Sequence, residues 1–135
     1  MIAHYNYAAP LIAVDRVVEI ADREIRATKA ITGNEAFFPG HYPGHPIFPG
    51  NFILEAVHQT THYYVREGLK LSAWICLAQI NTIRFFSPLQ PGDCLEIVCQ
   101  YPFSSHPHEL AVNADCWRGE RIAVARMKLL YVLEE

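Results

Sequence analysis

The chain has 135 residues, 51% of them apolar and 19% charged, and a formal net charge of −3. That length fits one domain over residues 1–135, enough for a buried core and too little for two ordinary domains. Without runs of like charge or interleaved basic and aromatic residues, nucleic acid is excluded as the main partner.

The apolar fraction is high for a small monomer, so part of that surface is expected between subunits. Cys76, Cys94, Cys99 and Cys116 form no CxxC pair, which points to reduced, packed thiols rather than a zinc knuckle or redox site. The start, MIAHYNYAAP, lacks a basic segment followed by an apolar core, so no signal peptide is expected. The longest apolar stretch carries Glu, His, Gln and Arg, which argues against a membrane span. A cytoplasmic protein is the resulting expectation.

In chain order, residues 10–13 (PLIA) are compatible with a brief helical turn. Residues 13–32 read as two short strands around the polar turn Ala21-Asp22-Arg23-Glu24. Residues 37–50, FFPGHYPGHPIFPG, hold four prolines and three glycines, a density that no helix or central strand tolerates. This is a stiff, extended, turn-rich loop. Residues 51–66 read as a helix, with Asn51 as N-cap and Gly68 as a stop. Phe52, Ile53, Leu54, Ala56, Val57, Tyr63, Tyr64 and Val65 make it apolar nearly all round, and Glu55, Gln59, His62 and Arg66 form a single polar stripe.

From Ser72 onward the chain alternates with a period of two. A strand over residues 74–86 leads through the turn at 88–93 into strands near 94–101 and 110–116. A hairpin at Arg118-Gly119 then leads into a last strand over 122–133. One buried helix and about six mostly antiparallel strands make an α+β layout in which the sheet curls about the helix.

The loop and helix together could do chemistry. His41 titrates near neutrality and can take or give a proton. Glu55, among Phe52, Leu54 and Ala56, is drawn out of water and suited to holding one. The helix start at Gly50-Asn51 offers unpaired amides and a positive dipole end, and Gly50 lets a carbonyl oxygen approach closely. Plainer readings stand beside these. His41 could be a surface or capping residue, Glu55 a core carboxylate satisfied by Arg66 or His62, and the prolines a tight connection.

A metal site built from His41, His45, His58 and His62 is disfavoured, because residues 58–62 read HQTTH and lack the HExxH glutamate. No GxSxG is present for nucleophilic catalysis.

Residues 40–59, GHYPGHPIFPGNFILEAVHQ, closely resemble the signature GHFPGxPxxPGVLxxEAxAQ of the 3-hydroxyacyl-acyl-carrier-protein dehydratases of the FabZ type. Residues 11–17, LIAVDRV, resemble that family's LLVDRV, and residues 80–93, INTIRFFSPLQPGD, its IDxxRFxxPVxPGD stretch. The resemblance implies a hotdog fold: an antiparallel sheet around one long helix, paired into a homodimer or higher homo-oligomer, with a heterodimer as the alternative.

It also implies catalysis by His41 and Glu55 facing one another across two subunits. His41 would take the C2 proton, the Glu55 carboxyl would assist departure of the 3-hydroxyl, and the Gly50 amide would hold the thioester carbonyl. Gln59 would orient Glu55, and Pro49, Gly50, Asn51 and Gln59 would border the substrate. The product would be a trans-2-enoyl thioester on acyl carrier protein, in fatty-acid or polyketide synthesis, with no metal or organic cofactor. Because acyl carrier proteins are acidic, Arg66, Lys70 and Arg84 are the expected docking residues.

The chain departs from the motif at Asn51, where a small apolar residue is usual, and at His58, where alanine is. Phe86-Ser87 replaces a more basic pair. These changes point to retained chemistry with an altered substrate. A hotdog acyl thioesterase is the alternative activity, and a subunit of a heterodimeric dehydratase the alternative assembly.

Overall fold

The computed structural model describes Tyr7 and residues 11–134. β1 (Arg16–Ala21) and β2 (Glu24–Ala30) form the first hairpin, closing on the pair Ala21–Glu24 with Arg23 at φ 58°. The helical turn expected at residues 10–13 is absent over Leu11–Ala13, and Pro10 lies outside the described residues. The carbonyl of Leu11 and the amide of Ala13 are both taken by the Gln59 side chain, which holds this stretch open.

The central helix, α1 (Gly50–Tyr63), starts one residue before the sequence suggests. Its N-cap is Pro49, at φ −61° and ψ 138°, and no side chain caps it. Proline's fixed φ suits the last extended residue, and the Pro49 carbonyl accepts from the Phe52 amide at 2.9 Å. Asn51 is therefore inside the helix and exposed, not its cap.

The last turn, Tyr64–Gly68, widens to a π-helix, with the Leu69 amide donating to the Tyr64 carbonyl at 2.9 Å. Gly68 closes it where a Cβ would meet Tyr64 at 3.1 Å and Ile20 at 3.2 Å.

β3 (Ala73–Phe85), β4 (Cys94–Gln100), β5 (Glu109–Arg118) and β6 (Glu120–Leu133) complete a six-stranded sheet, ordered β1-β2-β4-β5-β6-β3 with every pair antiparallel. Gly119, at φ 72°, turns the β5–β6 hairpin. The sheet packs Ile25, Ala27, Leu95, Ile97, Cys99, Val112 and Leu129 against Ile53, Ala56 and Val57 of the helix. Each such aliphatic side chain contributes about 1.5–3 kcal/mol on burial. Cys99 and Cys116 are buried free thiols, Cys116 pushed up to about 12 by burial and the nearby Asp115 carboxylate, so they behave as small hydrophobes.

β3 is an edge strand whose inner face is incompletely covered. Leu77, Ile80 and Phe85 pair in register with buried Leu129, Met127 and Ala123, so they face the helix side. Yet they are 46%, 45% and 50% exposed.

Candidate active site

The proline-rich loop folds as a sequence of tight turns. Pro43 and Gly44 (φ 75°) take the central positions of a turn in which the Tyr42 and His45 backbones exchange hydrogen bonds of 2.8 and 2.9 Å. Phe37 stacks on Phe52 of the helix at 4.6 Å, with Phe38 and Phe48 buried beside it, which fastens the loop to α1. The His41–Tyr42 peptide is cis.

His41 is held at three points. Its amide donates to the Phe38 carbonyl at 3.1 Å, its carbonyl accepts from the Ile47 amide at 3.0 Å, and its Nδ1 lies 2.8 Å from the Ile47 carbonyl. A carbonyl can only accept, so Nδ1 carries the proton. Of the two neutral tautomers this contact selects the one that leaves the Nε2 lone pair open, the form a general base needs.

Glu55 is set by Gln59, one turn on. The Gln59 Nε2 donates to Glu55 Oε1 at 2.9 Å and to the Leu11 carbonyl at 2.6 Å, while its Oε1 accepts from the Ala13 amide at 2.8 Å. Gln59 is 2% exposed and spends its strong bonds on these partners, and Glu55 rather than Gln59 lines the neighbouring cavity. The alternative partners for Glu55 are engaged elsewhere: Arg66 Nε donates to His62 Nε2 at 2.8 Å and Arg66 Nη2 to Glu134. Tyr7 was not singled out by the sequence, yet its hydroxyl is pushed up to about 12 by burial and by Glu55 and Tyr63.

The two candidate catalytic residues open into separate cavities of one chain. His41 lines a cleft of about 450 Å³ with Gly50, Ile53, Phe85, Phe86 and Leu89. Glu55 lines a cavity of about 290 Å³ with Leu11, Asn51 and Phe52. At about 100° of rotation per residue, Gly50 and Ile53 lie about 140–160° around the helix from Glu55.

No hydrogen bond among the described residues uses the Gly50 or Asn51 amide, so the helix start is open to an acceptor at the cleft. A Cβ on Gly50 would come within 2.8 Å of the Phe85 ring, which packs over the bare position. Phe85 and Phe86, of the RFFSP segment, are half-exposed and line this cleft. Arg118 pins the end of the same segment, donating to the Pro88 carbonyl at 2.5 Å and Ser87 Oγ at 2.9 Å.

Of the expected docking residues, Arg84 stands exposed beside Phe85, whereas Arg66 lies in the last turn of the helix and Lys70 just past it, at the end far from Gly50. Arg121, not anticipated, lies 5.6 Å over the Phe86 ring. His62 is buried and held neutral, its imidazole pushed down to about 4 by burial and by Arg66. No group of three or more His, Cys, Asp or Glu among the described residues could hold a metal ion.

An antiparallel sheet wrapped round one long helix is the hotdog fold, and the solved structures that resemble this chain carry it. The dehydratase heterocomplex ApeI:P from Xenorhabdus doucetiae superimposes with a TM-score of 0.76 over 95% of this chain and 88% of that one, at 17% identity. Cj0977, a sigma28-regulated virulence protein from Campylobacter jejuni, gives 0.74 over 96% and 91%, at 15% identity.

The FabA-like domain matches residues 7–122, and the chain belongs to that family. Among curated relatives, the 3-hydroxyacyl-[acyl-carrier-protein] dehydratase FabZ of Thermus thermophilus is 43% identical over 88 residues, 64% of this chain and 62% of its own length. That of Myxococcus xanthus is 44% identical over 92 residues, 65% and 60%. The chain thus spans about three fifths of these relatives.

Proposed function

We propose that this chain eliminates water from a 3-hydroxyacyl thioester carried on acyl carrier protein, giving a trans-2-enoyl thioester in cytoplasmic fatty-acid or polyketide synthesis. The observation that carries this reading is a pair of pre-set groups: a His41 ring whose Nδ1 is held by the Ile47 carbonyl, and a Glu55 carboxyl oriented by Gln59.

His41 Nε2 takes the C2 proton, and the electron pair of that C–H bond moves toward the thioester carbonyl. The Gly50 amide and the positive end of α1 stabilise the oxygen's developing charge. That pair then forms the C2–C3 double bond as the C3–O bond breaks. The leaving oxygen takes a proton from the Glu55 carboxyl and departs as water. A proton passes from His41 back to Glu55 through water to reset the pair.

The separation of His41 and Glu55 into two cavities supports a site completed by a second copy of the chain, His41 and Gly50 from one and Glu55 from the other. Uncovered Leu77, Ile80 and Phe85 on edge strand β3 are the surface such a copy would cover. Carrier protein, being acidic, would meet Arg84 and Arg121 beside the His41 cleft.

Mass spectrometry on 3-hydroxyacyl carrier protein incubated with the protein tests the reading. Loss of one water from an acyl chain still attached supports it. Release of free carrier protein would instead indicate a thioesterase.

A further inference from the structure

Asn51, Glu55, His58 and His62 fall within about 60° of arc on one face of α1. Their burial deepens along it: Asn51 is exposed, Glu55 and His58 are half-buried, and His62 is 1% exposed. The His62 end is sealed. Its ring takes the Arg66 Nε–H, lies 5.8 Å from Trp74 and meets Tyr7 edge-on at 5.7 Å. At the other end, Asn51 and Leu11 leave the Glu55 cavity open. A chain tethered at its thioester to a carrier protein enters from the open end, so its tail points toward His58.

His58 lies about 4.5 Å beyond Glu55 along the helix axis, level with carbons past C3. Burial holds its imidazole below the ordinary histidine value against the opposing pull of Glu55, so at neutral pH it offers one N–H donor and one acceptor nitrogen. No described hydrogen bond uses either nitrogen. The motif that this helix resembles has alanine at the position, which suits a plain alkyl chain. A neutral imidazole beside an alkyl chain loses its water with nothing in return; beside a hydroxyl or carbonyl it keeps a partner.

We propose that His58 is a specificity-determining residue, selecting acyl chains that carry an oxygen function a few carbons beyond C3 over plain saturated chains. The inference rests on the dehydratase reading above.

The test compares kcat/KM for 3,5-dihydroxyoctanoyl and 3-hydroxyoctanoyl thioesters of carrier protein, using wild type, His58→Ala and His58→Gln, with the oligomeric state of each measured alongside. The expected result is a preference of wild type for the dihydroxy chain of about tenfold, the worth of one net hydrogen bond. His58→Ala should lose that preference chiefly by gaining on the saturated chain, and His58→Gln should keep part of it. Equal use of both chains by wild type, or a preference that survives in His58→Ala, overturns the proposal. So does dissociation of His58→Ala into monomers, which would make the ring an interface contact. Water loss from neither substrate removes the dehydratase reading and the inference with it, and that outcome is distinct from unselective water loss.

Discussion

The carboxamide of Gln59 ties Glu55 to the backbone of residues 11 and 13, through bonds of 2.9, 2.6 and 2.8 Å. The orientation of the acidic residue therefore depends on a segment more than forty residues away in sequence. Gln59→Leu removes the donor to Glu55 and strands the Leu11 carbonyl and the buried Ala13 amide. The expected cost is about 1–3 kcal/mol in stability. The expected fall in kcat, up to about 100-fold, comes from misplacing the carboxyl. Denaturant melts and turnover on one preparation separate the two effects.

His41→Ala removes a ring whose one described hydrogen bond is to the Ile47 carbonyl, on a loop anchored by Phe37, Phe38 and Phe48. Stability should change little, while turnover falls about 100- to 10,000-fold, the usual contribution of a general base. Circular dichroism and steady-state rates on the variant check both halves.

Gly50→Ala adds a methyl within 2.8 Å of Phe85 Cζ. That ring is half-exposed and can swing away, and at the first position of α1 alanine is no worse a helix former than glycine. The variant should fold at least nearly as well as wild type and lose activity, because the displaced ring closes the cleft over the Gly50 amide. Gly50→Ala with Phe85→Leu should recover part of the rate. A double-mutant cycle in kcat/KM measures the coupling.

His62 makes stability depend on pH. Its folded-state value of about 4 lies below the unfolded value of about 6.5. Between those values the unfolded chain binds the proton first, so the neutral ring's contribution is complete above about pH 6.5 and is lost as pH falls toward 4. His58, also lowered by burial, acts in the same direction. Urea melts should show stability falling from pH 7 to pH 4.5, by at most about 3 kcal/mol from His62. His62→Asn should flatten that slope.

Much of this arrangement is legible in the sequence because local rules decide it. Prolines and glycines over residues 37–50 permit only turns, period-two alternation marks the strands, and an apolar helix demands a sheet around it. Asn51 has the better capping side chain, yet Pro49 is the N-cap because its backbone is already set in the extended form. The bonds that orient the site were not legible. The Ile47 carbonyl that chooses the His41 tautomer, and the Leu11 and Ala13 groups that hold Gln59, are backbone atoms whose identity no side-chain pattern encodes. The stripe of Glu55, Gln59, His62 and Arg66 likewise looked continuous. It divides into a Gln59–Glu55 unit at the cavity and a His62–Arg66–Glu134 unit at the far end.

The most direct test mixes two inactive variants. His41→Ala and Glu55→Gln are each incubated with 3-hydroxyacyl carrier protein, then unfolded together, refolded as a one-to-one mixture and assayed by mass spectrometry for loss of water. If each site takes His41 from one copy and Glu55 from the other, half of the dimers are mixed and each holds one intact site. Activity should then return to about a quarter of wild type while either variant alone stays inactive. A mixture as inactive as its components, while refolded wild type recovers full activity, would contradict a shared site. Water loss by either variant alone at the wild-type rate would contradict the assignment of that residue.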